Sequence, residues 1–288
     1  MESILELEGI CKSYKDFNLN NISFELKKGY IMGFIGPNGS GKTTTIKLVM
    51  NLIKRDAGNI RVFGMDSIEH EASIKNRIGF VYDENYFFEE LTLLEMKNII
   101  VPFYKNWDEQ VFLKYIADFN LPLKNKIKTL SKGMRMKYSL ALALSHHAEL
   151  IIMDEPTSGL DPIFRNELLG ILASLMEDEN KGILFSTHIT TDLDKIADYI
   201  TFIHKGEIVF TLPKEEISDN YGIVKGRKEL LDSDLRKEFV GMRESNYGFE
   251  GLTKNMTSMK KRFREEAIIE RASLEDIMLY TVRGNLCV

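Results

Sequence analysis

One stretch, Gly36-Pro37-Asn38-Gly39-Ser40-Gly41-Lys42-Thr43-Thr44, constrains this chain more than any other. The apolar run Tyr30 to Ile35 before it reads as a buried strand, and Thr44-Thr45-Ile46-Lys47-Leu48-Val49-Met50 after it has helical character. Strand, glycine loop and helix in that order are the setting in which Gly-x-x-x-x-Gly-Lys-Ser/Thr cradles phosphate. Glycines at 36, 39 and 41 let backbone N–H groups turn inward with no Cβ in the way. The helix N-terminus adds unpaired donors and partial positive charge. In such a cradle Lys42 reaches the β- and γ-phosphates and the Thr43 hydroxyl binds Mg²⁺. The competing reading is a glycine-rich turn ahead of a helix.

A chain of 288 residues holds one large domain, or one domain with a small companion. Hydrophobic content of 44% and charged content of 28% suit a water-soluble globular protein. No apolar run approaches the roughly 18 residues that cross a bilayer, and the acidic start Met1-Glu2-Ser3-Ile4-Leu5-Glu6 is unlike a signal peptide. A cytosolic location is therefore expected, with Cys11 and Cys287 as reduced thiols. A net charge of −5 argues against a nucleic-acid partner.

Strands are expected over Ile4–Ile10, Ile22–Leu26, the region after Asp56-Ala57-Gly58, Arg77–Tyr82, Leu150–Met153 and Gly182–Thr187. A hairpin is expected around Lys205-Gly206. From 84 to 147 the pattern turns helical, and a further helix runs from Pro162 to about Met176. Alternating strands and helices imply an α/β fold with a parallel sheet and ligand at the strand carboxyl ends. Pro213 marks a boundary, so residues 1–213 form the main domain and 214–288 a small accessory one. The tail's basic run Lys260-Lys261-Arg262-Phe263-Arg264 reads as a solvated element end. Its Ser273-Leu274-Glu275-Asp276 opens a capped amphipathic helix.

Asp154 and Glu155 follow the Leu150–Met153 strand, which in a parallel sheet sets both carboxylates beside the phosphate loop. There Asp154 serves Mg²⁺ and Glu155 polarises the attacking water. His146 and His147 are adjacent, share no helix face and have no acidic or cysteine cluster beside them, so they read as structural.

With these motifs in order, residues 1 to about 212 resemble the ATP-binding subunit of ABC transporters. The resemblance implies a P-loop NTPase of the ABC type, with an inserted helical subdomain at about 84–147 and a small C-terminal α+β domain. It pairs Tyr14 with the aromatic that stacks on adenine, residues 36–44 with Walker A, and Leu150–Glu155 with Walker B. Leu130-Ser131-Lys132-Gly133-Met134 is similar to the signature, where Ser131 and Gly133 retain the functional positions while Lys132 and Met134 replace Gly and Gln. Ser158-Gly159-Leu160-Asp161 matches the D-loop and His188 the switch histidine. Tyr14 and His188 have a rival reading as core residues. Asp83 stands where the family has glutamine; as a hard oxygen ligand it suits Mg²⁺, the alternatives being that it points to solvent, that Glu84 takes the role, or that water alone fills the gap.

The expected nucleotide-binding set is Tyr14, Gly36, Asn38, Gly39, Ser40, Gly41, Lys42, Thr43, Thr44, Ser131, Gly133 and Asp161. Thr43, Asp83 and Asp154 are expected at the metal, and Glu155 and His188 in the chemistry. The resemblance further implies ATP and Mg²⁺, a head-to-tail homodimer with a second nucleotide-binding subunit, and a separate membrane permease at the cytoplasmic face, with the tail leaning to export. The competing classes were a translation ATPase, which carries two such domains, a chromosome or repair ATPase, which carries long coiled coil, and a regulatory module without turnover. A GTPase is disfavoured by the lack of an Asn-Lys-x-Asp motif.

Overall fold

The structure is a computed structural model that describes residues 2–82, 86–284 and 286–287. Asp83 and Glu84, the two candidates at the family's glutamine position, lie outside the described residues. Up to residue 213 the elements are β1 Ser3–Ser13, β2 Asn18–Lys27, β3 Ile31–Ile35, α1 Lys42–Val49, β4 Ala57–Val62, β5 Met65–Asp66, α2 Glu71–Lys75, β6 Ile78–Val81, α3 Leu93–Ile100, α4 Glu109–Asp118, α5 Lys132–Leu144, β7 Leu150–Asp154, α6 Pro162–Leu175, β8 Gly182–Thr187, α7 Thr190–Ile196, β9 Tyr199–His204 and β10 Glu207–Pro213.

The central sheet runs β10-β9-β3-β8-β7-β6, parallel throughout except for β10, which returns antiparallel on β9. Strands β3, β7 and β8 are buried along their whole length, as a parallel sheet covered on both faces demands. Their period of two divides the core. Ile31, Ile35, Ile151, Met153, Ile183 and Phe185 face the layer built by α3 to α7. Met32, Phe34, Leu150, Ile152 and Leu184 face the opposite layer, with Ile46 of α1 and Leu5, Leu7, Ile22 and Ile60. That second layer includes an antiparallel sheet of order β2-β1-β4-β5. The first strands were legible in the sequence; their membership of a separate sheet was not.

Local signals set the helix starts. Thr92 and Glu95 form a capping box on α3, and Asp108 accepts N–H bonds from Gln110 and Val111 at the head of α4. Pro162 occupies the first turn of α6, capped by Asp161. Met136, Leu140, Leu142 and Leu144 are core residues. His146 is buried and stacks on Tyr104, ring centroids 3.9 Å apart and planes 5° from parallel.

After Pro213 come α8 Lys214–Asn220, β11 Gly222–Gly226, α9 Ser233–Lys237, β12 Phe239–Glu244, β13 Phe249–Thr253, α10 Met256–Phe263, β14 Ile268–Arg271, α11 Leu274–Arg283 and β15 Leu286–Cys287. Among the described residues these strands pair with one another, in the order β14-β11-β13-β12-β15. One face of this sheet buries Val224, Met242 and Phe249 with Leu235 of α9 and Met259 and Phe263 of α10. The other face, with Ile223 and Leu252, joins Leu274, Ile277 and Tyr280 of α11 in the same apolar cluster as α7 and the central sheet. The basic run ends α10: Phe263 is buried, and Arg262 pairs with Asp232 and Glu238. Ser273 and Asp276 cap α11 reciprocally.

Candidate functional site

The carboxyl ends of β3, β7 and β8 lie side by side, with Asp154 in register with Ser186 and Ile35 with Thr187. The loop from β3 to α1 rises over them. Gly36 is the position where no side chain fits: a Cβ there meets the Ile203 carbonyl at 2.3 Å and Ser40 Oγ at 2.5 Å. Gly41 has φ of 116°, outside the range of residues with a Cβ, and precedes the first helical residue, Lys42. Gly39, at φ 77°, has nothing within 4 Å of the place where a Cβ would stand. The loop therefore presents bare backbone on its open side. Asn38 is exposed, Thr44 half-buried, and the Ser40 hydroxyl is buried without a protein partner.

Lys42 is no free arm. Its side chain is 5% exposed, and Nζ donates to the Gly36 carbonyl at 2.7 Å while lying 3.1 Å from Glu155 Oε1. Thr43 Oγ1 donates to Asp154 Oδ2 at 2.8 Å, and Ser186 Oγ donates to Asp154 Oδ1 at 2.5 Å. Burial raises the Asp154 carboxyl above its ordinary range, opposed by those two hydroxyl donors. A carboxylate and a hydroxyl this close are hard oxygen donors that fit Mg²⁺, an ion that takes one or two protein ligands and completes its shell with substrate phosphate and water. Among the described residues no cluster of three or more His, Cys, Asp or Glu side chains offers an all-protein metal cage.

Glu155 adopts φ of 49°, a left-handed conformation that costs a residue with a Cβ roughly 1–3 kcal/mol. Its N–H donates to the Ser186 carbonyl at 3.0 Å, which fixes the turn. The turn aims the carboxylate between two cationic or donor groups. Oε1 faces Lys42, and Oε2 accepts from the His188 N–H at 3.2 Å and meets His188 Nδ1 at 2.7 Å. His188 is not a core histidine: 41% of its side chain is exposed.

The remaining predicted residues lie apart from this cluster. Tyr14 is 46% exposed, with Lys12 Nζ 5.7 Å from its ring centroid, so it is not a core aromatic either. Ser131 caps α5, accepting from the Met134 N–H at 3.2 Å. Gly133 lies 4.0 Å, measured from its would-be Cβ, from Leu160 of the segment that ends at Asp161. Asp161 accepts from the N–H groups of Ile163 and Phe164, both at 3.0 Å.

Three participants were not anticipated. Ser186 anchors Asp154; its signal was its place in the strand that ends at Thr187, just before His188. Phe17 presses its ring against the loop, 3.0 Å from where a Cβ on Gly41 would be. The Lys205-Gly206 turn ties to the loop through Gly206 N–H to the Ser40 carbonyl at 3.0 Å. Long-range pairing of this kind leaves no trace in local sequence.

Residues 19–158 match the family model described as ABC transporter. Over 251 residues the chain is 33% identical to a bacitracin transport ATP-binding protein of Bacillus licheniformis, an alignment spanning 85% of this chain and 80% of that protein. It is 34% identical over 227 residues to a linearmycin resistance ATP-binding protein of Bacillus subtilis (strain 168), spanning 76% and 72%. A solved ATP-binding subunit of an ABC transporter superposes with a TM-score of 0.68 at 27% identity, covering 74% of this chain and 91% of that one.

Proposed function

Since this chain belongs to the ABC transporter family of ATP-binding proteins, we propose that the cluster at the ends of β3, β7 and β8 is its hydrolytic site, with the division of labour that follows. The protein is an ATP-binding and ATP-hydrolysing subunit that powers transport by a separate permease. The observation that carries the assignment is the convergence of Lys42, Thr43, Asp154, Glu155 and His188 through contacts of 2.7–3.1 Å.

The loop amides and Lys42 hold the phosphates. Thr43 and Asp154 would hold Mg²⁺, with Ser186 fixing the Asp154 rotamer; the ion would supply charge to neutralise the phosphates. Phosphate oxygens compete with Glu155 for the Lys42 ammonium, so nucleotide binding releases Glu155 Oε1. That oxygen then takes a proton from the attacking water, while the His188 ring and N–H keep the other oxygen in place. Tyr14 offers its half-exposed ring to adenine. Ser131, Gly133 and the head of α5 act on nucleotide held by a second copy, with Asp161 at the same junction, in a head-to-tail homodimer. Asp83 remains a proposed third metal ligand.

The permease sits in the membrane and this subunit at its cytoplasmic face. Among the described residues no helix is long and apolar enough to cross a bilayer. Export is supported by the transport and resistance names of the relatives. A division at 213/214 into nucleotide-binding and accessory domains is supported by the strand pairing of the tail, although the apolar cluster runs through it.

Glu155→Gln tests the reading. Turnover is expected to fall roughly 10²–10⁴-fold, the worth of a positioned general base, while ATP binding persists and ATP holds two chains together in light scattering. Adding Ser131→Arg is expected to abolish that dimer. Turnover near wild type in Glu155→Gln overturns the base assignment, and ATP-driven dimerisation of the double variant overturns the composite site.

A further inference from the structure

We propose that the tail helix α11 positions the switch histidine through α7, with Ile277 and Tyr280 as the positioning residues. The proposal rests on the reading of His188 given above. His188 is separated from the first residue of α7 by Ile189 alone, so the ring moves with that helix. Ile189 is fixed to the strand end by its N–H bond to Thr187 Oγ1 at 2.9 Å.

Helix α7 is gripped from three sides. Below it, Leu193 packs onto the central strand at Gly33, where a Cβ would meet Leu193 Cδ1 at 2.6 Å. On the α6 side the grip is polar: Arg165 Nε to Asp192 Oδ1 at 2.5 Å, Arg165 Nη2 to Thr191 Oγ1 at 3.0 Å, and Lys195 Nζ to Asn166 Oδ1 at 2.7 Å. On the third side stands the tail. Helix α11 packs on α7, and its Leu274, Ile277 and Tyr280, all buried, share one apolar cluster with Leu193, Ile196 and Ala197. Lys214, where the tail begins, closes the end of α7 with Nζ donating to the Asp194 carbonyl at 3.2 Å.

Helix α11 is itself held firmly. Tyr280 Oη donates to Glu250 Oε1 at 2.6 Å, Arg243 lies over the Tyr280 ring at 5.4 Å, and Gly241 leaves room for the Tyr280 carbonyl, which a Cβ would meet at 2.3 Å. The tail sheet thus braces α11, α11 braces α7, and α7 carries the His188 backbone. Among the described residues no hydrogen bond or ion pair joins these groups to the phosphate loop, whose partners are Glu155, Asp154 and Gly206. Loosening the brace displaces His188 from Glu155 while leaving the phosphate contacts intact. A misplacement of about 1 Å at a catalytic group costs up to 10²-fold in rate.

The test uses the full chain. Ile277→Ala opens the brace, and Tyr280→Phe removes the bond to Glu250 while keeping the ring. Ile277→Ala is expected to lower kcat for ATP roughly fivefold or more, with ATP affinity unchanged within about twofold and the His188 imidazole resonance displaced in NMR. Tyr280→Phe is expected to do the same to a smaller extent, and it decides the matter if Ile277→Ala fails to fold. In a His188→Ala background neither change is expected to lower kcat further, because coupled sites are non-additive. An unmoved His188 resonance with unchanged kcat, or an equal fractional loss without His188, overturns the proposal. Full kcat in His188→Ala alone overturns the reading of the hydrolytic site as well, and so separates the two failures.

Discussion

His146 is 1% exposed, and neither ring nitrogen has a hydrogen-bond partner. It sits between α5 and β7 and stacks on Tyr104 of the segment after α3, so it bolts the helical layer to the sheet. Burial, helped by the neighbouring His147, lowers its pKa from 6.5 to about 4. The sign follows from linkage. Below pH 6.5 the unfolded chain takes up a proton that the folded chain refuses until about pH 4, so stability is lost as pH falls through that window. A gap of two to three pH units at 1.36 kcal/mol each makes the full loss about 3 kcal/mol, of which about 2 has gone by roughly pH 5. His146→Phe keeps the stack and deletes both orphaned nitrogens. Urea unfolding of both proteins near pH 7 and near pH 5 isolates the effect, because every exposed carboxylate is common to the two. Wild type is expected to lose about 2 kcal/mol more than the variant between those conditions. Parallel losses would refute the argument and mean that His146 finds a proton donor or acceptor in the folded protein.

Lys42→Ala removes the cation that neutralises Glu155 and is proposed to meet the phosphates. ATP affinity by fluorescence titration is expected to fall about 10- to 100-fold, in line with roughly 1.5–3 kcal/mol for a charge-assisted bond. Gly36→Ala drives a methyl into the Ile203 carbonyl, which belongs to the backbone of β9 and cannot swing aside. A stability loss of about 1–3 kcal/mol is expected, visible as a lower urea midpoint, together with weaker ATP binding; an unchanged midpoint would mean that the loop closes differently.

What the sequence revealed and what it hid divide along a physical line. The phosphate loop was legible because its chemistry is local: glycines, lysine and hydroxyl lie within nine consecutive positions between a strand and a helix. Glu155 was expected beside the loop once the sheet was read as parallel, since strand ends then converge, whereas His188 was singled out only by the resemblance to the ABC family. The buried strands announced themselves as apolar runs, but runs buried on both faces carry no sign of their neighbours. Hence β1, β2 and β4 were read as strands without the separate antiparallel sheet they form. Ser186 was passed over because a serine at a strand end is unremarkable until register sets it opposite Asp154. The capped helix α11 was visible from Ser273 and Asp276, yet its seat against α7 depends on the packing of segments 80 residues apart and had no local mark.

The bond from Gly206 to Ser40 has a consequence for how the protein is made. The strand that launches the phosphate loop, β3, takes both of its sheet neighbours, β8 and β9, from residues 182–204. The loop's outer support comes from the turn at 205–206. At about 5–20 residues per second, the ribosome needs on the order of ten to thirty seconds after the loop is synthesised before those partners exist. Throughout that time β3, which leads into the glycine loop, lacks both of its sheet neighbours. Nucleotide is thus expected to stabilise this domain only after residues 182–206 have been made. Truncated chains that end before β9 are therefore expected to bind ATP far more weakly than the full chain in a fluorescence titration, although they contain every residue of the loop.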